Sequence, residues 1–225
     1  MISSLTHISR LARAAFVFAR EGVFGIIDPS PLPPPAQAAI RAARLIERRG
    51  TKSGARLSRA LTRLGPTYVK LGQFLATRPD VVGVAMARDL ESLQDRLPPF
   101  PQNQAIAVVE TGLEKPISSV FSHFGESVAA ASIAQVHRAE ISDANGTRPA
   151  AVKILRPHVG ARFNHDLNAF RYAARKAEGI SSEARRLRLT EIIETLARSV
   201  AMEMDLRIEA AALSEMAENT RDDPD

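Results

Sequence analysis

The run Ala150-Ala151-Val152-Lys153-Ile154-Leu155 reads as a β-strand, and what flanks it constrains the chain more than any other feature. Strand side chains alternate faces, so Ala151 and Lys153 share one face while Val152 and Ile154 share the other. A flat small residue beside an ammonium leaves room for a planar base and offers a positive charge to phosphates. Upstream lies a small-residue loop, Ala129-Ala130-Ala131-Ser132, and downstream a helical stretch carries Glu203, Asp205 and Glu209. A strand lysine on its own is more often one whose stem lies along a strand edge. The order of loop, lysine and helix carboxylate moves the reading toward a phosphate-facing site.

At 225 residues the chain can form one domain or two small ones with a real core. The absence of cysteine excludes disulfides and thiolate metal sites and is compatible with a reducing compartment. No apolar run reaches the roughly eighteen residues of a transmembrane helix, and the first residues lack the pattern of a signal peptide. Charge is uneven: residues 1–80 hold 13 Lys/Arg against 4 Asp/Glu, whereas the rest hold 17 against 21. Nucleic acid is a poor match for this basic third, because stacking needs aromatics and the chain has two Tyr and no Trp. An anionic membrane surface fits better. Residues 5–19 read as an amphipathic helix with Leu5, Ile8, Ala12, Ala15, Phe16 and Ala19 on one side and Arg10, Arg13 and Arg20 opposite. Packing of that helix on its own protein is an equal alternative.

Asp28-Pro29-Ser30-Pro31-Leu32-Pro33-Pro34-Pro35 forms a stiff linker. Helices follow at 36–49, closed by Gly50, then from Gly65-Pro66 to Arg78-Pro79, at 83–96 and at 102–111. Near Ser119 the pattern becomes extended. Segments 119–128 and 133–141, a turn-rich stretch at 142–149 and the Lys153 strand predict a three-stranded antiparallel meander. Alternation in 133–141 is imperfect, which leaves its register open. Helical pattern returns at 159–178 and 188–218. The fold class is therefore α+β.

Neither a G-x-x-x-x-G-K-[ST] nor a G-x-G-x-x-G signature occurs. The candidate phosphate loop is Ala129-Ala130-Ala131-Ser132-Ile133-Ala134-Gln135-Val136-His137, where alanine allows close backbone approach but not the positive φ open to glycine. In the third helix Lys70 and Gln73 project from one face, and Gly72 between them costs about 1 kcal/mol in a helix interior, which suggests tight packing there. By spacing alone a solvated polar face would explain Lys70 and Gln73.

These motifs, with Leu64-Gly65-Pro66 leading into Lys-x-Gly-Gln, the Ala-Val-Lys-Ile strand and Glu203-Met204-Asp205, occur in one order over residues 55–218. The chain resembles the UbiB family of atypical protein-kinase-like proteins (ABC1/ADCK), most closely its bacterial ubiquinone-biosynthesis branch. The resemblance implies a helical extension packed on a kinase-like N-lobe, with Lys153 on the phosphates of ATP and Glu209 as its partner. It implies that the alanine loop covers those phosphates, with Ala151 beside the base. Lys70 and Gln73 would face Glu203 and Asp205 from the extension. It also implies an ATPase or kinase-like activity supporting coenzyme Q biosynthesis, peripheral to the inner membrane from the cytoplasm. Partners would be nucleotide, anionic lipid and ubiquinone-biosynthesis proteins or lipid intermediates, with Mg2+ in the complete protein.

Geometry supports part of this. Asp205 and Glu209 are four apart and can share a helix face, whereas Glu203 and Asp205 cannot on a straight helix. Residues 188–218 as one helix would run about 46 Å, so a break near Glu203 is expected. No Asp-Phe-Gly and no His-x-Asp after residue 218 occur, so no metal-binding residue is assigned. The expectation is an N-terminal portion of such a protein: residues 1–35 as helix and linker, 36–112 as extension, 113–225 as incomplete kinase-like lobe. The alternative is a non-catalytic membrane-surface regulatory module, a truncated pseudokinase.

Overall fold

Glycine and proline punctuation sets most helix ends. The computed structural model describes residues 2–26, 28–30, 34–48, 56–93, 97–144 and 146–223. Helix α1 spans Ile2–Arg20 and stops before Gly22, whose φ of 76° is left-handed. α2 (Pro34–Leu45) and α3 (Arg56–Leu64) follow, the latter burying Ala60, Leu61 and Leu64. Gly65 then adopts φ 106° and Pro66 opens α4 (Pro66–Ala76). An added Cβ at Gly65 would lie 2.4 Å from Arg162 Nη2, a group that donates to the Leu64 carbonyl at 3.0 Å. Gly83 separates α5 (Pro79–Val82) from α6 (Val84–Glu91), and α7 spans Gln102–Leu113. The expected end of the 83–96 helix, the closing Gly50, residues 31–33 of the proline-rich segment and the turn residue Asn145 lie outside the described residues.

The three strands are β1 (His123–Ala130), β2 (Ala134–Asp143) and β3 (Gly146–Leu155), antiparallel in the order β1-β2-β3. The sheet differs from the sequence expectation at both turns. Pairing runs from Ala134↔Leu155 to Asp143↔Gly146, so most of the turn-rich stretch 142–149 is strand. Pro149 fits because β3 is an edge strand, where a missing N–H need not break a ladder. Likewise Ala129 and Ala130 are the last residues of β1, paired with Val136 and Gln135, and Ala131 N–H donates to the Ala134 carbonyl at 2.8 Å. The expected loop is thus a tight hairpin turn, made without positive φ at any of its alanines. One sheet face carries Ala139 and Ile154, which pack with Phe121 against Ala105 and Val109 of α7.

The chain divides into two compact units, residues 1–173 and 174–225, the division falling within α8 (Val159–Ile180). In the second unit Ser181 caps α9 (Ser182–Leu187), its hydroxyl accepting from Ala184 N–H at 3.3 Å. Glu178 accepts from Thr190 N–H at 2.7 Å and from its hydroxyl at 2.8 Å. That contact satisfies an open donor of α10 (Leu189–Met204), which buries Ile192, Ile193, Leu196 and Val200. The helical pattern breaks at Asp205 (φ −89°, ψ 86°), and α11 spans Leu206–Asn219. The break anticipated near Glu203 therefore lies two residues on.

Candidate functional site

Register builds the site. Ala129 pairs with Val136 and Val136 with Lys153, so the three stand in one row across the sheet. Directly paired residues share a face, and two strand spacings separate Ala129 from Lys153 by about 10 Å. This row faces away from α7, and it floors a cleft of about 580 Å³. Ser127, Val128, Ala129, Ala130 and Ala131 form one wall, and Leu97 and Pro99 another. Among the described residues, Lys153 is the one charged residue in the lining. Volume, apolar walls and a single cation match what a base with its phosphates requires.

The other residues nominated for that site lie outside the cleft's lining. Ser132 is fully buried behind the turn. Ala151 shares the Lys153 face but stands opposite Arg138, two residues further from the cleft. Sequence reasoning did not nominate Arg156. Its Nε donates to the Ala131 carbonyl at 3.0 Å and its Nη2 to the Pro98 carbonyl at 2.9 Å, with the guanidinium over the Phe100 ring. Arg156 thus ties the alanine turn to the segment Leu97–Pro101. A basic residue directly before a strand-ending proline was the available signal.

On α4, Lys70 and Gln73 are half-buried and Gly72 is buried. The tight packing suspected at Gly72 is real: an added Cβ would lie 2.4 Å from Leu93 Cδ1 and 2.6 Å from Leu61 Cδ1. One turn earlier, Thr67 donates from Oγ1 to Asp166 Oδ2 at 2.8 Å, and Arg10 of α1 pairs with Asp166 Oδ1 at 2.6 Å. Burial, and then the nearby Asp166 charge, push the Tyr68 hydroxyl up to about 12. Asp166 therefore ties α1 to the helix that carries Lys70.

That contact also orients α1. Arg10 lies on the face turned to the protein, with buried Ala14, while Leu5, Ile8, Ala12, Ala15 and Phe16 are exposed. Only Ala19 of the nominated apolar set is buried. The helix presents its apolar stripe outward and commits part of its basic side to an ion pair.

In the second unit Glu203 is exposed near the end of α10 and Glu209 is exposed on the first turns of α11. Asp205 occupies the junction, where it caps α11 by accepting from Arg207 N–H at 3.2 Å. Its carboxylate also pairs with the Arg207 guanidinium at 2.7 Å, which holds it below the usual carboxylate range.

Residues 92–225 match the ABC1 atypical kinase-like domain. The chain belongs to that family. A probable protein kinase UbiB from Marinobacter nauticus is 37% identical over 223 residues, covering 98% of this chain and 40% of the relative. A Shewanella protein of the same description is 38% identical over 175 residues, covering 77% of this chain and 32% of the relative. One from Pseudomonas aeruginosa is 39% identical over 172 residues, covering 76% and 32%. The chain thus spans about 40% or less of the length of these curated relatives. Membership accounts for an α+β arrangement in which helices precede and follow a small antiparallel sheet. Within the ABC1 domain lie the alanine turn, Lys153 and the Asp205 junction, whereas Lys70 and Gln73 precede it.

Proposed function

We propose that this chain carries the nucleotide-facing part of a UbiB-like atypical kinase or ATPase, which binds ATP and supports ubiquinone biosynthesis at a membrane. The observation that carries the reading is the cross-strand row of Ala129, Val136 and Lys153 flooring an apolar cleft. In this reading the base lies against Val128, Val136 and Pro99, and the phosphates lie between the alanine turn and the Lys153 ammonium. Glu209 is the nominated partner of Lys153, and the nominated regulatory set is Lys70 and Gln73, on an extension at 36–112, together with Glu203 and Asp205. Among the described residues no group of three or more His, Cys, Asp or Glu could hold a metal ion.

Membrane attachment is the second part of the reading. It is supported by the excess of Lys/Arg in residues 1–80 and by the outward stripe of Leu5 (68% exposed), Ile8 and Phe16 (54% exposed). Among the described residues no helix is long and apolar enough to cross a membrane.

Titration of a fluorescent ATP analogue into the 225-residue chain tests the cleft. A charge-assisted phosphate contact is worth about 1.5–3 kcal/mol, so Lys153→Ala weakens binding by about ten- to a hundredfold. Equal affinity of Lys153→Ala and the parent chain, or no binding by either, removes the reading.

A further inference from the structure

Two polar side chains on the α7 side of β2 are completely enclosed: Gln135 is 1% exposed and His137 0%. The Gln135 amide pairs with both backbone groups of Phe100. Phe100 N–H donates to Oε1 at 2.9 Å, and Nε2 donates to the Phe100 carbonyl at 3.3 Å. Reversing the amide would set donor against donor and acceptor against acceptor, so its orientation is fixed. The second hydrogen on Nε2 then points to His137 Nε2, 2.8 Å away. That ring nitrogen must accept, and the imidazole keeps its one proton on Nδ1, 2.9 Å from the Gly125 carbonyl. Phe124 stacks on the ring at 4.7 Å. The β1 ladder is irregular between Phe124 and Ser127, and the Gly125 carbonyl is held by His137 and by Gln102 Nε2.

The relay joins the two walls of the cleft. Phe100 follows Pro99 directly, and Pro99 and Leu97 line one wall; Gly125 lies two residues before Ser127, where the other wall begins. We propose that Gln135 and His137 are positioning residues that hold the Leu97–Pro101 segment and the β1 irregularity at one fixed separation, and so set the cleft's width. The significance of that width rests on the nucleotide reading of the cleft. Gln135 stands in the lining of the cleft and His137 outside it. The clasp acts through the backbone of Phe100 and Gly125.

Four measurements on the 225-residue chain test this. Imidazole 15N spectra show His137 neutral with its proton on Nδ1. Phe100 amide exchange accelerates at least tenfold in Gln135→Ala while the Ile154 amide is unchanged. In Gln135→Glu the carboxylate still accepts from Phe100 N–H but offers nothing to His137 Nε2, so Phe100 stays protected and the imidazole 15N pattern changes. Spin labels at Pro98→Cys and Val128→Cys, clean because the chain has no cysteine, give a narrow distance distribution that Gln135→Ala broadens. A proton on Nε2 of His137 in the parent chain, unaltered Phe100 exchange in Gln135→Ala, or an unaltered label distribution each overturns the proposal. Nucleotide titration separates the two readings. A parent chain that takes no ATP analogue removes the nucleotide assignment and leaves the clasp to be judged by the label distances. A parent chain that binds, with Gln135→Ala binding equally well, overturns the role of the clasp in the cleft.

Discussion

Gly72→Ala sets two effects of opposite sign against each other, and the packing of α4 decides between them. Replacing glycine by alanine in a helix interior gains about 1 kcal/mol in propensity. Against this, the new Cβ would stand 2.4 Å from Leu93 Cδ1, 2.6 Å from Leu61 Cδ1 and 3.4 Å from Leu90 Cδ2. Carbon atoms prefer about 3.5–4.0 Å, so two leucine methyls must retreat by roughly an ångström. Leu61, Leu90 and Leu93 are all buried, at 4%, 1% and 6% exposure, and a close-packed interior has nowhere to put them. Overpacking of this kind costs about 1–3 kcal/mol, occasionally more. Offset by the propensity gain, the net expectation is a loss of up to about 2 kcal/mol, read as a lower urea midpoint by circular dichroism with an unchanged slope. In a Leu93→Ala background the nearer methyl is gone and the space it leaves lets Leu61 Cδ1 retreat, so Gly72→Ala should become neutral or stabilising. A midpoint that rises in the single variant, or an equal loss in both backgrounds, refutes the packing account of this glycine.

Three further outcomes follow from other contacts. Asp166→Ala leaves the fully buried Thr67 hydroxyl and the Arg10 guanidinium without their shared partner and lowers stability by about 2 kcal/mol in the same assay. Glu178→Gln weakens the second unit only above the acid range. Thr190 hydrogen bonds lower the folded Glu178 value below its ordinary 4.5, so its contribution is complete above 4.5 and is lost as pH falls through the lowered value. Parent and variant melting curves, compared from pH 7 downward, should converge in acid. Phe16→Asp reduces recovery of the chain on vesicles containing anionic lipid. Because Arg10 is engaged by Asp166, salt should release less protein than the charge of residues 1–80 alone suggests; full recovery of Phe16→Asp would move membrane contact elsewhere.

The sheet and the helices around it were legible because local rules act locally. Gly65-Pro66 opens α4 as that pair should, and period-two spacing placed Ala151 and Lys153 on one face and Val152 and Ile154 on the other, where Ile154 is found in the core. The break in the last long helix was legible from length alone, although not the residue: Asp205 caps a new helix, which spacing from Glu203 could not show. The orientation of α1 was not legible. Its apolar and basic stripes were read correctly as stripes, but which one meets the protein depends on Asp166, a partner 156 residues away that no periodicity links to Arg10.

The candidate site shows why imperfect patterns carry information. Alternation in β2 fails at Gln135 and His137, and by periodicity that failure weakens the strand and obscures its register. In the fold those two are the most enclosed polar side chains of the sheet, because each meets a backbone group that the β1 irregularity or the 97–101 segment leaves open. A buried polar residue survives only where its partners are supplied. Two such residues, one position apart on the same strand face, therefore mark where neighbouring backbone leaves its ladder. Here that backbone adjoins both walls of the cleft, so the defect in the pattern points to the site more directly than the lysine that drew attention to it.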